Sequence, residues 1–341
     1  MASSPKPALD GASILITGGT GSFGKKFTKI ALEEKQPRKI IIFSRDELKQ
    51  HEMKTRGYDH PSLRYFIGDV RDRERLVRAM HGVDIVVHAA ALKQVPTCEY
   101  NPMEAIKTNI MGTANVVEAA LDAGVKKMMM ISTDKAVNPV NLYGATKLAA
   151  EKLAIQSNAY AAGTATRYSC VRYGNVVGSR GSIVPLFLNQ RAKGAVTITD
   201  ERMTRFWLSL EQGVRFVMNC LEQMEGGEVF VPKIPSTKVV DLAKAIAPEA
   251  KLNIIGIRPG EKLHEVLVSE DEARNTVERE TMFIVKPPET LWKRDLQYEG
   301  NPLPGGFRFS SDTNTQWLDI EGIKKFIAPF EELFAQGKLE G

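Results

Sequence analysis

The chain has 341 residues, 43% of them hydrophobic and 26% charged, which are the proportions of an ordinary soluble globular protein. That length suits one large domain or a main domain with a smaller annex. With 46 basic and 41 acidic side chains the net charge is only +5, dispersed without a polybasic run, so nucleic acid is not an expected partner although an anionic ligand is compatible. Cys98, Cys170 and Cys220 stand apart and the five histidines lack ligand spacing, which argues against a disulfide framework and a metal site. Residues 1–10 read as a flexible N-terminus without the apolar core of a signal or anchor, and no window reaches the ~18 apolar residues of a membrane helix. The expectation is a cytoplasmic protein with reduced thiols and no membrane partner.

In chain order, Ser13 to Thr17 (SILIT) is an apolar run ending in glycines, and Lys25 to Glu33 has helical character. Lys39 to Phe43, Leu63 to Ile67, Val83 to His88, Lys127 to Ile131 and Thr166 to Arg172 are further strand candidates, with helical stretches between them. Strands apolar on both faces and separated by helices predict an α/β fold, a Rossmann-type doubly wound parallel sheet. The run Met128-Met129-Met130 reads as core strand rather than a soft binding surface. After Gly178 glycine, proline and arginine become frequent. The reading is a nucleotide-binding domain over 11–178 and a smaller substrate-binding region over 179–341, part of which returns to the main sheet.

Between the first strand and first helix lies Thr17-Gly18-Gly19-Thr20-Gly21-Ser22-Phe23-Gly24. Glycines 18, 21 and 24 let the backbone approach a pyrophosphate, which free N–H groups of the helix N-terminus then bind. The cofactor choice rests on the end of the second strand. A carboxylate there would accept from the ribose hydroxyls and repel a 2′-phosphate. The strand ends Phe43-Ser44-Arg45, with a hydroxyl and a planar cation that suit such a phosphate, so NADP is favoured. Asp46 follows and keeps NAD as the minority reading.

Ser132-Thr133-Asp134-Lys135 precedes Tyr143-Gly144-Ala145-Thr146-Lys147. Tyr143 and Lys147 share one helix face. An ammonium at roughly 4 Å, at an effective dielectric of about 20, favours the phenolate by about 4 kcal/mol, or ~3 pKa units. A Tyr/Lys pair alone deprotonates an alcohol. The second pair, Asp134 and Lys135, points to a further step on the resulting ketone. Tyr-x-x-x-Lys arises by chance in many helices and Asp-Lys before a proline is often a surface turn; their conjunction is what carries the reading.

These pieces resemble the extended short-chain dehydrogenase/reductases that act on nucleotide sugars: TGGTGSFG, Asp69-Val70, His88-Ala89-Ala90-Ala91 and Tyr143-x-x-x-Lys147. SRDELKQ, AALKQVP, STDKAVNPVNLYGATK, YGNVVGSRGSIVP and RPGEKLHE further resemble the inverting UDP-N-acetylglucosamine 4,6-dehydratases that begin pseudaminic acid synthesis, over roughly residues 11 to 330. Retaining relatives typically carry Asp-Glu where this chain has Asp134-Lys135, some relatives have Met in place of the tyrosine, and epimerases generally lack the adjacent acid/base pair.

The resemblance implies that Gly18, Thr20, Gly21, Ser22, Phe23, Gly24, Ser44, Arg45, Asp69, Val70, Ala89, Ala90, Lys93, Asn109, Tyr143 and Lys147 hold the cofactor, Asp69 against adenine. Thr133, Asp134, Lys135, Tyr143 and Lys147 are the implied catalytic set. Tyr143 takes the sugar 4-hydroxyl proton, Lys135 as a neutral amine takes the C5 proton, and Asp134 protonates the departing C6 hydroxyl. The cofactor is reoxidised at C6, and C5 is reprotonated from the opposite face. Thr133, with Ser132 as an alternative, holds the C4 oxygen. Burial and the Lys147 charge are expected to favour a neutral Lys135 and a protonated Asp134, titrating as a coupled pair. Lys93, Thr133, Tyr173, Asn175, Arg205, Arg258 and Glu261 are the expected UDP-sugar contacts, the two arginines clamping the diphosphate. Relatives form homo-oligomers, dimers or hexamers, and the helix from Tyr143 to Ala154 is a candidate dimer seam. The competing readings are a C5-retaining dehydratase, a 4-epimerase, and a non-catalytic NADP-binding sensor or scaffold.

Overall fold

The computed structural model describes residues 9–177, 183–287 and 298–337. Its first half alternates β1 (Ser13–Thr17), α1 (Ser22–Glu34), β2 (Lys39–Ser44), α2 (Glu47–Thr55), β3 (Leu63–Ile67), α3 (Arg73–Ala79) and β4 (Ile85–His88). Short helices α4 (Val95–Tyr100) and α5 (Pro102–Ala105) run through a π-helical turn (Ile106–Met111) into α6 (Gly112–Asp122). Then come β5 (Lys127–Thr133), a 3₁₀ turn (Asp134–Ala136), α7 (Leu142–Gln156), β6 (Arg167–Tyr173) and β7 (Asn175–Val177). The second half contains α8 (Ile183–Arg191), β8 (Ala195–Ile198), β9 (Thr204–Ser209), α9 (Leu210–Gln223), β10 (Val229–Pro232), β11 (Ser236–Lys238), α10 (Val239–Ile246) and β12 (Lys251–Ile254). It ends with β13 (Val266–Val268), α11 (Glu270–Ala273), β14 (Thr276–Glu278), β15 (Met282–Val285), β16 (Asn301–Pro302), β17 (Phe309–Ser310) and α12 (Ile320–Ala335).

Ten of the described strands form one sheet in the order β3-β2-β1-β4-β5-β6-β10-β15-β14-β16. The strands from β3 to β10 are parallel, and the last three run antiparallel. The expected six strands are all present. The fourth begins at Ile85, and the fifth runs on to Thr133 because Ile131, Ser132 and Thr133 pair with Val171, Arg172 and Tyr173. Met128, Met129 and Met130 are at most 1% exposed, as core strand requires. Beyond residue 182 the chain re-enters the main sheet through β10, β14, β15 and β16, while α8, β8, α10 and α12 enclose a satellite core around Phe187, Leu242 and Ile323. The 178/179 boundary lies outside the described residues, as do residues 1–8 of the expected flexible terminus; Leu9 is already buried in the main core.

Strand order reverses between β1 and β4, so a crevice opens at the carboxyl ends of the strands there. Behind it sits a buried ion cluster. Arg172, fully buried on β6, is flanked by Glu151 of α7 and, at 2.9 and 3.0 Å, by Glu272 of α11, and it donates to the Leu267 carbonyl at 2.9 Å. Glu151 also accepts the Ser132 hydroxyl at 2.7 Å, so the cluster locks β5, β6, α7 and the C-terminal segment together. Arg172→Met would leave two carboxylates uncompensated, and unfolding by urea should register a loss of about 3–5 kcal/mol.

Candidate active site

The turn after β1 depends on Gly18. Its φ of +66° suits glycine, and a Cβ there would lie 3.0 Å from the Ala90 backbone. That close approach sets the floor of the crevice against Ala89 and Ala90, whose N–H groups both donate to Thr17 Oγ1 at 3.2 Å. The Thr17 hydroxyl in turn meets His88 Nδ1 at 2.7 Å, and His88 Nε2 meets Thr113 Oγ1 at 3.0 Å. Because the Thr113 hydroxyl is spent on the Asn109 carbonyl, the network assigns the proton to Nε2. Burial, aided by the Lys147 charge, drives the His88 pKa down to about 3, so this imidazole is a neutral strut.

At the tip of β2, Ser44 Oγ and Thr20 Oγ1 are 2.9 Å apart, and Arg45 reaches to 3.8 Å from Asp69. Asp46 is turned to α2: its side chain caps the helix at Lys49 N (3.0 Å) and pairs with Lys49 Nζ at 2.6 Å. A single cleft of about 1760 Å³ is lined by Gly18, Thr20, Gly21, Ser22, Phe23, Ser44, Arg45, Asp69, Val70, Ala89, Ala90 and Lys93, and further by Thr133, Lys135, Tyr143, Lys147, Tyr173 and Asn175. The structure thus brings together most of the residues expected to hold cofactor and substrate. Lys25, Lys49 and Arg56 also line it, and dispersed basic residues of this kind carry no local signal in the sequence.

Two expected cofactor residues lie elsewhere. Gly24 is buried within α1. Asn109, 1% exposed on the π-helical turn, accepts from Leu92 N at 2.8 Å and donates to Leu92 O at 2.9 Å and Thr146 Oγ1 at 3.0 Å. It ties the loop carrying Lys93 to α7 instead of facing the cleft.

The residues of the expected catalytic set come from the junction of β5, the 3₁₀ turn and α7. Asn141 caps α7 by accepting from Gly144 N at 2.7 Å, which places Tyr143 and Lys147 one turn apart. A Cβ on Gly144 would sit 2.2 Å from the Lys135 carbonyl, so the helix and the 3₁₀ turn can meet only with glycine there. Tyr143 neighbours Thr133, whose hydroxyl donates to Asp134 Oδ1 at 2.9 Å. Lys135 Nζ donates to the same oxygen at 3.1 Å.

Electrostatics departs from the expectation in two places. Burial pushes the Tyr143 phenol up to about 12, with Lys135 pulling the other way, and Lys147 Nζ donates to Ile131 O at 2.8 Å. Burial alone would also lower Lys135, but Asp134 and Glu265 more than offset it, so Lys135 rests as a firmly held ammonium. Asp134 behaves as expected: burial raises its carboxyl despite the neighbouring cation. Ser132 and Thr133 both line the cleft, but the Ser132 hydroxyl is committed to Glu151 at 2.7 Å.

The expected diphosphate clamp is not assembled. Arg205 gives its guanidinium to the carbonyls of Thr204 (2.7 Å), Leu263 (3.1 Å) and Lys262 (3.0 Å) and lies 3.8 Å from Glu265. Arg258 is exposed, and its backbone N–H is capped by Glu261 at 3.3 Å; neither lines the cleft. That loop is fixed to α7 by Asn141 Nδ2 donating to Gly260 O at 2.8 Å. The residue missed in the sequence is Glu265, the last letter of RPGEKLHE, four positions beyond the glutamate chosen.

A doubly wound parallel sheet, a glycine-lined crevice at its switch point and a Tyr-x-x-x-Lys pair beside it define a protein of the short-chain dehydrogenase/reductase class. The chain belongs to the polysaccharide biosynthesis protein family, whose profile matches residues 14–287. It is 55% identical over 328 residues to UDP-N-acetylglucosamine 4,6-dehydratase (inverting) of Campylobacter jejuni, covering 94% of this chain and 98% of that one. It is 41% identical over 328 residues to UDP-glucose 4-epimerase of Rickettsia canadensis, covering 92% and 95%. Among solved structures, that of Pen from Bacillus thuringiensis is similar with a TM-score of 0.87 and 38% identity, over 95% of this chain and 99% of that one.

Lys147 yields a stability prediction. Burial lowers its pKa from 10.5 to about 8, so between those values the unfolded chain binds more protons than the folded one and stability rises with pH. Lys147→Met should flatten that rise in urea midpoints measured between pH 8 and 10.5.

Proposed function

We propose that the protein is a UDP-N-acetylglucosamine 4,6-dehydratase that inverts C5. It is a hydro-lyase giving UDP-2-acetamido-2,6-dideoxy-β-L-arabino-hexos-4-ulose, with NADP recycled in each turnover. The observation that carries this reading is the line of Tyr143, Thr133 and Lys135 along one cleft, with buried Asp134 accepting from the Thr133 hydroxyl at 2.9 Å and from Lys135 Nζ at 3.1 Å. It couples the base of an alcohol oxidation to a second acid/base pair. The identity to the Campylobacter enzyme supports it. Epimerisation, the reading favoured by the Rickettsia relative's name, needs only the first half of that line.

The cleft fits a dinucleotide. Its volume of about 1760 Å³ exceeds the ~300–1,000 Å³ of a single small-ligand pocket, leaving room for a nucleotide sugar beside the cofactor. The backbone approach at Gly18 would be filled by any Cβ. NADP is supported by Ser44 and Arg45 at the tip of β2 and by Asp46, whose carboxylate is already engaged with Lys49. A nicotinamide cofactor held by the turn over 18–22, Ser44 and Arg45 would supply the hydride acceptor for C4 and the hydride donor for C6.

Thr133 holds the C4 oxygen and Tyr143, its phenol pushed up to about 12 by burial, takes the proton with Lys147 one helical turn away. Lys135 hands a proton to Asp134, whose burial favours the neutral acid. The free amine then takes the C5 proton acidified by the 4-ketone, and Asp134 protonates the C6 hydroxyl as it leaves. Asn175 and Tyr173 line the cleft, which supports their role in binding the sugar nucleotide. The region beyond residue 182 supplies the rest of that wall. Likeness of motifs further supports a cytoplasmic homo-oligomer serving pseudaminic acid synthesis.

Proton NMR of the enzyme with UDP-N-acetylglucosamine in D₂O should give a 6-deoxy-4-ketone of L-arabino configuration, deuterated at C5. The D-xylo ketone would mean retention, and a 4-epimer would mean epimerisation. Lys135→Ala should lose about 10²–10⁴-fold in dehydration rate. NADP should bind more tightly than NAD by calorimetric titration, and Arg45→Ala should cut that preference about tenfold or more.

A further inference from the structure

Glu265 faces the catalytic lysine from a part of the chain remote from it in sequence. It precedes β13, where its N–H donates to Ser311 Oγ at 2.9 Å and its carbonyl accepts from Ser311 N at 2.8 Å. The side chain is 3% exposed, with Oε1 3.5 Å from Lys135 Nζ and 3.8 Å from Arg205 Nε. Lys135 therefore lies between two buried carboxylates, Asp134 at 3.1 Å and Glu265 at 3.5 Å. Asp134 Oδ2 and Glu265 Oε2 are buried and accept no hydrogen bond from the described residues. Buried oxygens without a protein partner on both sides of one ammonium are costly for stability alone.

The other charged groups around this array are few. Arg205 approaches from β9, and Lys262 interacts with Glu265 while its Nζ is tied to the Val137 carbonyl. Lys93 feels the Lys135 charge across the cleft, and Tyr143 closes the array through Thr133. His264 is turned away to Thr204 at 2.8 Å.

We propose that Glu265 is a positioning residue for the elimination step, holding Lys135 Nζ beside Asp134 and giving the array the negative charge that retains its working proton. This rests on the dehydratase reading. The array starts as an ammonium and two carboxylates. An N–H bond of Lys135 breaks and an O–H bond forms on Asp134, while Glu265, held by Arg205 and Lys262, stays ionised. The Lys135 amine then takes the C5 proton, the C5–H electron pair becomes the C5–C6 double bond, and the C6–O bond breaks as Asp134 protonates the leaving hydroxyl to water. Lys135 is again an ammonium and both acids are carboxylates, so the starting state is restored without an outside proton.

Without the Glu265 charge the array binds its proton less tightly. In the holoenzyme, Glu265→Gln should move the basic limb of the kcat–pH profile down by about 1–2 pH units. KM for UDP-N-acetylglucosamine should hold, because Glu265 does not line the cleft. Glu265→Asp should bring the limb back toward wild type. Removing the opposing cation with Arg205→Gln should move the limb up, which decides the matter even where Glu265→Gln fails to fold. A basic limb unmoved in the folded variants, or moved the same way by Glu265→Gln and Arg205→Gln, would overturn the assignment. Wild-type enzyme that leaves UDP-N-acetylglucosamine untouched would instead overturn the dehydratase reading on which it rests.

Discussion

The Lys135 carbonyl approaches α7 so closely that the helix can carry no side chain at Gly144, and the site follows from that contact. It draws the first turn of α7 onto the end of β5, so that Tyr143 comes beside Thr133, Asp134 and Lys135 although they come from a helix, a strand and a 3₁₀ turn. Seven paired residues between β5 and β6 hold the strand end in place, and the Asn141 cap fixes where the helix begins. Larger residues at Gly144 would have to separate the two acid/base pairs.

Charge in this interior is arranged in two tiers. Deepest lies the Arg172 cluster, whose ions are mutually satisfied and whose Glu151 also takes the Ser132 hydroxyl. Nearer the cleft, on either side of Lys135, Asp134 Oδ2 and Glu265 Oε2 accept no hydrogen bond from the described residues. A closed network of buried ions specifies geometry, whereas an incompletely bonded one can still move a proton. The neutral His88 strut belongs with the first tier, because its two threonine contacts hold the crevice floor without carrying charge.

Much of the fold was legible in the sequence. Parallel strands buried on both faces are written as continuous apolar runs, and β1, β2, β3, β5 and β6 fall where such runs stand. The glycine turn and the Tyr143/Lys147 pair were legible because their chemistry is local, set by neighbours in sequence. The protonation of Lys135 was not. Its nearest charges outside its own turn are Glu265 and Arg205, brought in by the C-terminal half. Choosing Glu261 over Glu265 shows the same limit: two glutamates four residues apart in a segment without regular periodicity give no sign of which one turns inward. Asn109 and Arg205 have the chemistry of ligand-binding residues, yet each is consumed by backbone groups of a loop it secures.

The sequence by itself determined the parallel sheet, the glycine turn and the adjacency of Asp134-Lys135 to the Tyr143/Lys147 pair, because strand periodicity, backbone freedom and four-residue helix spacing act over a few residues. Tertiary structure alone decided which buried groups carry charge and which polar side chains are free to meet a ligand. Those properties depend on desolvation and on partners more than a hundred residues away, such as Glu265 for Lys135, and no local pattern encodes them.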